Sequence, residues 1–215
     1  MTKVIKDVLT PADLSEIQTY LKQADFIDGR VTAGTRAIQV KRNLQLDAIE
    51  HRSFIEALSR KVAEHPFVKM WVKPVRATPV FVNCYEAGME YGVHVDNPIM
   101  GDVRTDLSFT LFLSEPDSYE GGELQFIEQQ SAGIKLPAGS LLLYETGGLH
   151  RVTPVTAGQR LVAVGWIQSL IRCAKLRETL FDLERVKNTL DAQPEARELS
   201  NVLSKCIFNL IRDAV

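Results

Sequence analysis

Histidine and cysteine are both scarce in this chain of 215 residues, which contains four histidines and three cysteines. Cys84, Cys173 and Cys206 are odd in number and widely spaced, so they match neither a disulfide framework nor a zinc-binding pattern. We interpret them as reduced thiols, which are typical of a cytoplasmic protein.

The sequence also lacks an excess of either charge and lacks long apolar runs. A net charge of -2 provides no basic surface for a phosphate backbone, so nucleic acid is not an expected partner. The first nine residues contain no apolar signal core, and no later run approaches the roughly 18 apolar residues of a membrane span. We expect a soluble, cytoplasmic protein of one catalytic unit with no membrane contact.

Residues 1–77 are expected to form a helical support region. Thr10 and Pro11 have the pattern of a helix N-cap followed by proline at the first helical position. A second helix is predicted from about Ala48 to Glu64, where Phe54, Leu58 and Val62 recur at helical spacing.

Residues 78–169 have a different pattern, of short β-rich segments separated by turn residues. Strands are predicted over 79–85, 91–95, 106–113, 123–127, 140–144, 150–155 and 160–167. The pair Gly121-Gly122 is interpreted as a hairpin turn. Many short strands at this spacing indicate a sandwich or jelly roll.

Residues 170–215 are predicted to be helical again, as an appendage for packing or for a homodimer. Leucines recur from Leu176 to Leu190 and again from Leu199 to Leu210, with Pro194 separating the two runs. The predicted fold class is therefore α+β with a mostly β core, a jelly roll flanked by N-terminal and C-terminal helices.

Three residues could hold a metal ion. His94 and Asp96 are two apart, so in extended chain both side chains point to one side, while Val93 and Val95 are expected to face a core. His150 lies far downstream, and jelly-roll strands can return it to the same place. Two histidines and one carboxylate on one face of an octahedral metal leave the other face open, as in non-haem Fe(II) oxygenases.

The surrounding residues make this site specific. Tyr85, Gly88 and Tyr91 precede His94 and Asp96 in the pattern Y-x-x-G-x-x-Y-x-x-H-x-D, which resembles that of prolyl-4-hydroxylase-like dioxygenases. Over nearly its whole length the chain resembles the PKHD-type hydroxylases, a bacterial branch of the Fe(II)/2-oxoglutarate dioxygenases. The similar segments include 28–32, 40–45, 104–114, 119–124, 136–139, 149–156 and 166–169.

This resemblance implies a double-stranded β-helix that binds Fe(II), with 2-oxoglutarate as co-substrate, O2 as oxidant and L-ascorbate as supporting reductant. It implies that His94, Asp96 and His150 are the metal ligands. Arg160 would hold the distal carboxylate of 2-oxoglutarate, for which its planar fork is suited, and Tyr85 would hydrogen-bond the co-substrate. The reaction would hydroxylate an unidentified amino-acid-like, peptidyl or small-molecule substrate, with release of succinate and CO2.

Two other functions are compatible with these residues. One is a cupin-type iron enzyme that does not use 2-oxoglutarate, and the other is a non-catalytic sensor of iron or 2-oxoglutarate. Trp166 is interpreted as a core residue because an apolar run leads into it. Four basic residues either line a substrate entrance or are ordinary surface charges: Arg30, Arg36, Lys41 and Arg104.

Overall fold

A computed structural model describes residues 2–35, 37–128 and 132–215. Within these ranges the chain forms five α-helices and sixteen β-strands. The helices are α1 Pro11–Leu21, α2 Arg52–Glu64, α3 Pro66–Val72, α4 Ala174–Asp191 and α5 Arg197–Ala214. The strands are β1 Thr2–Ile5, β2 Phe26–Asp28, β3 Lys41–Arg42, β4 Leu44–Leu46, β5 Pro74–Ala77, β6 Phe81–Tyr85, β7 Glu90–His94, β8 Ile99–Met100, β9 Val103–Arg104, β10 Leu107–Phe112, β11 Tyr119–Gly121, β12 Leu124–Phe126, β13 Leu141–Glu145, β14 His150–Val152, β15 Val155–Gly158 and β16 Arg160–Ser169.

Most strands belong to two antiparallel sheets. The larger sheet has eight strands in the order β1-β13-β10-β16-β6-β4-β2, with β5 paired to β16, and the smaller sheet has the order β12-β14-β7-β3. One apolar cluster takes residues from both sheets, among them Phe112 and Leu142 of the larger and Leu124 and Val152 of the smaller. The two sheets therefore pack on each other, and the predicted α+β fold with a mostly β core is confirmed.

Alternation along the strands explains why the larger sheet is buried on both faces. Leu141 and Leu143 of β13 join the cluster that includes residues of α1, α2 and α3, whereas Leu142 and Tyr144 join the cluster between the sheets. Successive side chains of a strand point to opposite faces, so one continuous apolar run supplies both cores. The helices cover the outer face of the larger sheet and leave its inner face for the site.

Local hydrogen bonds determine the residues at which α1 and α2 begin. Thr10 and Asp13 form the predicted cap of α1 as a reciprocal capping box. The helix predicted from Ala48 begins later, at Arg52, because the carboxylate of Asp47 accepts hydrogen bonds from the backbone N–H groups of Ile49 and Glu50. These bonds hold the preceding residues in a turn.

The first 77 residues also contain five short strands that the apolar pattern did not predict. They are two to four residues long, too short to show a period of two. Strand β3 pairs with β7 so that Lys41 lies opposite Tyr91, which extends the smaller sheet toward the N-terminal region.

The glycine pair predicted as a hairpin turn has a different role. Gly121 ends β11, which among the described strands pairs with β15 alone, and Gly122 leads into β12 of the smaller sheet. The pair therefore links a two-stranded ribbon to a sheet. Both glycines have positive φ, of 68° and 64°, and a Cβ on Gly121 would lie 2.0 Å from the carbonyl oxygen of Pro154. A side chain would clash here, which explains why glycine is needed.

The C-terminal helices α4 and α5 occur where the sequence predicts helices. They pack on each other around Ile171, Leu180 and Ile207. The buried guanidinium of Arg177 on α4 pairs with Glu145 at the end of β13 and so attaches this helix to the larger sheet. Of the helices in the described ranges, none is both long enough and apolar enough to span a membrane.

Candidate metal and co-substrate site

Strand pairing brings two histidines together that are far apart in sequence. His94, the last residue of β7, lies directly opposite His150, the first residue of β14. Their ring centroids are 4.3 Å apart. Both side chains are nearly inaccessible to solvent, at 7% and 5% exposure. The antiparallel register of the smaller sheet thus sets the distance between the two imidazoles.

Backbone carbonyls determine which nitrogen of each histidine faces the site. Nδ1 of His94 lies 2.8 Å from the carbonyl oxygen of Gly92, and Nδ1 of His150 lies 3.0 Å from that of Gly148. A carbonyl oxygen can only accept, so each Nδ1 carries the proton and each Nε2 keeps its lone pair. Burial lowers the pKa of His150, partly offset by the charge of Asp96, which favours the neutral ring that a metal requires.

Asp96 completes the cluster from the loop that follows β7. Its Oδ1 lies 3.6 Å from Nε2 of His94 and 3.8 Å from Nε2 of His150. The three candidate ligand atoms all lie within 4.8 Å of one another. These are two imidazole nitrogens and one carboxylate oxygen, the donor set expected for ferrous iron with open coordination positions.

The other carboxylate oxygen of Asp96 is held by two donors from the larger sheet. Oδ2 accepts hydrogen bonds from Nε1 of Trp166 at 2.8 Å and from Oγ of Ser108 at 2.9 Å. Burial alone would raise the pKa of Asp96. The hydrogen bond from Trp166 and the two neighbouring imidazoles outweigh this effect of burial, so the pKa of the carboxyl group lies below its usual value. The carboxylate is therefore ionised, with Oδ1 turned toward the histidines.

The expected orientation of the neighbouring valines is wrong in one respect. Val93 and Val95 do alternate with the two ligands, but they are 46% and 48% exposed rather than buried in a core. On this side of the smaller sheet Gln125 and Arg151 pair with each other at the surface. The helices cover the larger sheet, so the outer face of β7 is open to solvent.

Arg160 and Tyr85 lie opposite each other on β16 and β6. Arg160 is only 2% exposed, its guanidinium carbon is 5.1 Å from the centroid of Tyr85, and its Nε has no hydrogen-bond partner in the described ranges. Burial raises the pKa of Tyr85 to about 12, against the opposing effect of Arg160. The phenol therefore remains a hydrogen-bond donor, and no carboxylate of the described residues forms an ion pair with the buried guanidinium.

These residues share one cavity. His94, Asp96, His150, Arg160 and Tyr85 all line it. The predicted site residues are therefore brought together, although they come from different strands and one loop.

A glycine contributes to this arrangement in a way the sequence did not reveal. A Cβ on Gly122 would lie 2.9 Å from Cδ of Arg160. The missing side chain thus leaves room for the stem of the arginine.

Trp166 and Ser108 were also missed as site residues. Trp166 was interpreted as core, yet its indole donates to Asp96. It is six residues after Arg160 on the same strand, so a period of two places both on the inner face. Ser108 is the direct cross-strand neighbour of Trp166, which only the sheet register reveals.

Four basic residues could, from the sequence, either line a substrate entrance or be surface charges, and their surroundings in the structure differ. Arg30 pairs with Asp28 and Arg104 pairs with Asp106, both as local ion pairs. Lys41 instead lines the cavity. Arg36 lies outside the described residues.

Comparisons with known proteins identify the family of this chain. Residues 80–168 match the family model of the 2OG-Fe(II) oxygenase superfamily. A PKHD-type hydroxylase of Hyphomonas neptunium is 45% identical over 219 residues, covering 97% of each chain.

Two solved structures share the fold at low sequence identity. The viral collagen prolyl hydroxylase of Paramecium Bursaria Chlorella virus-1, in its 2OG complex, is 20% identical with a TM-score of 0.53, covering 78% of this chain and 95% of that one. HygX of Streptomyces hygroscopicus, solved with nickel, 2-oxoglutarate and hygromycin B, is 14% identical with a TM-score of 0.54, covering 78% of this chain and 82% of that one. From the extent of its similarity to the Hyphomonas protein, this chain belongs to the PKHD-type hydroxylases, within the 2OG-Fe(II) oxygenase superfamily.

Proposed function

We propose that this hydroxylase holds Fe(II) through Nε2 of His94, Nε2 of His150 and Oδ1 of Asp96. The observation that supports this most strongly is the orientation of the three groups. Nδ1 of each imidazole donates a hydrogen bond to a backbone carbonyl oxygen, and Oδ2 of the carboxylate accepts hydrogen bonds from Trp166 and Ser108. The three remaining donor atoms lie within 4.8 Å of one another and are therefore available to bind one metal ion.

We further propose that Arg160 and Tyr85 hold 2-oxoglutarate. The cavity places a buried guanidinium with an unpaired Nε beside a protonated phenol. A carboxylate would satisfy the arginine through two parallel hydrogen bonds, which a lysine could not supply.

When bound, iron and 2-oxoglutarate supply the oxidising chemistry: one oxygen atom of O2 enters a C–H bond of the substrate and the other enters succinate as CO2 is released. The protein contributes orientation and exclusion of water. Leu124 and Val152 line the cavity, Phe112 belongs to the same apolar cluster beside Arg160, and all three are at most 6% exposed. Such packing keeps the reacting groups away from bulk solvent.

We also propose that the chain has three regions with different roles. Residues 78–169 would be the catalytic core, with 1–77 as support and 170–215 as an appendage. Three apolar residues of α5 are at least 50% exposed, namely Leu199, Val202 and Phe208. This exposure is compatible with a homodimer that forms through this helix. We propose L-ascorbate as the supporting reductant, a cytoplasmic location and an amino-acid-like, peptidyl or small-molecule substrate.

An anaerobic titration followed by exposure to O2 tests the proposed function. Fe(II) is added first and 2-oxoglutarate second, and the visible spectrum is recorded after each addition. A charge-transfer band that needs both additions is expected, followed by succinate formation under O2. Iron binding without the band would favour the cupin-type alternative, and a band without succinate from any substrate pool would favour the sensor.

A further inference from the structure

Lys41 is a buried cation in the wall of the same cavity. Its residue is only 8% exposed, and it lines the cavity together with His94, Asp96 and Arg160. A lysine is seldom buried to this extent without a paired anion, because removing its charge from water is costly. Its role is not covered by the metal site or by the proposed anchor for 2-oxoglutarate.

The sheet register places Lys41 opposite Tyr91, whose ring stacks on His94. Strand β3 lies close to β7 because Gly92 has no side chain: a Cβ there would be 2.9 Å from Cβ of Val40. Lys41 is then opposite Tyr91, and its ammonium lies 5.8 Å from the centroid of that ring. The ring of Tyr91 stacks on His94 with centroids 3.6 Å apart. Tyr91 thus lies close to both Lys41 and His94, and Lys41 and His94 line the same cavity.

The hydrogen bonds of Lys41 are incomplete. Nζ donates to Oγ1 of Thr32 at 3.1 Å and to Oε1 of Gln45 at 3.4 Å. An ammonium has three N–H donors, so one of them has no acceptor within the described ranges. The same ranges offer Lys41 no ion pair, because the nearby carboxylate of Asp28 is paired with Arg30.

The ammonium nevertheless keeps its charge near neutral pH. Burial lowers the pKa of Lys41 to about 8, while the charges of Asp28 and Asp96 oppose that shift. At neutral pH the protonated form therefore predominates.

The positive charge of Lys41 is not balanced by the other charged groups that line the cavity. Among the described residues that line it, Lys41, Asp96 and Arg160 are the ionised ones apart from the histidines. The two negative charges of 2-oxoglutarate and the one of Asp96 together balance the positive charge of Arg160 and the two positive charges of the ferrous ion. One positive charge then remains, and a single carboxylate of another molecule would balance it.

We propose that Lys41 binds a carboxylate of the organic substrate and so selects anionic substrates for hydroxylation. The proposal rests on the proposed function, because it assumes that Arg160 rather than Lys41 holds 2-oxoglutarate. Lys41 supplies one positive charge, and the uncharged Thr32 and Asn83 line the same cavity, so the site matches a single negative charge.

Binding measurements on the protein loaded with Mn(II) and 2-oxoglutarate test this, since no turnover occurs. The probes are free amino acids and dipeptides, each paired with its C-terminal amide, and binding is measured by calorimetry. In the wild type the best free-carboxylate probe should bind at least about tenfold more tightly than its amide. This preference should disappear in Lys41→Met and persist in Lys41→Arg. The exposed Lys205 provides a matched control, and Lys205→Met should behave as the wild type does.

Each other outcome has a definite meaning. A wild-type protein that binds Mn(II) and 2-oxoglutarate but prefers no carboxylate probe overturns the inference, as does a preference that survives in Lys41→Met. Weaker binding of 2-oxoglutarate in Lys41→Met would assign this lysine to the co-substrate and also overturn it. Failure of the wild type to bind 2-oxoglutarate at all would instead contradict the proposed function. If Lys41→Met does not fold, Lys41→Gln should give the same loss of preference, because it keeps a polar end without the charge.

Discussion

The indole N–H of Trp166 donates to Oδ2 of Asp96 over 2.8 Å. This bond links the larger sheet to the loop that follows β7 in the smaller one. It leaves Oδ1 as the carboxylate oxygen that faces His94 and His150. A strand of one sheet thus orients a ligand carried by the other.

Replacing this donor should weaken iron binding while leaving the fold intact. Trp166→Phe keeps an aromatic ring that can pack on Phe81 but removes the N–H that holds Asp96. We expect Fe(II) affinity to fall about 10–100-fold, the usual cost of losing such an orienting partner. Anaerobic titration measures the affinity. Trp71→Phe is the matched control, because the indole of Trp71 donates to Glu178 instead; an equal loss in both variants would contradict the role of Trp166.

Removing one imidazole should have a larger effect. His150→Ala deletes a proposed ligand, so Fe(II) affinity should fall by more than about 100-fold, beyond the cost of losing an orienting residue. His51→Ala serves as control, since His51 bonds to Tyr20 between α1 and α2. Metal content after anaerobic loading measures both. Normal iron content in His150→Ala would exclude this residue as a ligand.

Conservative replacement of the buried arginine should weaken the binding of 2-oxoglutarate without changing the affinity for iron. Arg160→Lys keeps the positive charge but loses the planar fork, so 2-oxoglutarate should bind at least about tenfold more weakly while iron affinity is unchanged. Arg151→Lys on the outer face of the smaller sheet should change neither. Dissociation constants for both ligands give the comparison, and a parallel loss of iron in Arg160→Lys would refute the assignment.

A methyl group on Gly122 should disturb the arginine indirectly. Gly122→Ala introduces a side chain at φ +64° and 2.9 Å from Cδ of Arg160. We expect the free energy of unfolding to fall by about 1–3 kcal/mol and 2-oxoglutarate to bind more weakly. Gly147→Ala is the control, because a Cβ there meets nothing within 4 Å and its φ is not positive. Denaturant unfolding and ligand titration test the pair; unchanged co-substrate affinity in Gly122→Ala would show that the arginine has room to adjust.

Much of the β core could be predicted from sequence because its strands carry strong local signals. In the segment from Leu107 to Phe112, the apolar Leu107, Phe109 and Leu111 alternate with the polar Ser108 and Thr110, and this period of two indicates a strand. The separation of His94 and His150 gave no such local signal, and their proximity was expected only from the jelly-roll topology. The cross-strand register of β7 and β14 then supplied the pairing itself.

The remaining features depend on contacts between segments far apart in the chain. The donation of Ser108 to Asp96 requires the register of β10 with β16, which no pattern in either segment specifies. Lys41 belongs to a strand of only two residues, which becomes a strand because β7 is beside it. The exposure of Val93 depends on which sheet the helices cover, and alternation alone does not determine that.

A crystal structure of the protein with Mn(II) and 2-oxoglutarate, with the metal located by anomalous scattering, tests the central claim most directly. The account predicts one metal ion bound by Nε2 of His94, Nε2 of His150 and Oδ1 of Asp96. It also predicts the distal carboxylate of 2-oxoglutarate on Arg160. A metal ion elsewhere, or one that leaves any of these three atoms uncoordinated, would contradict it.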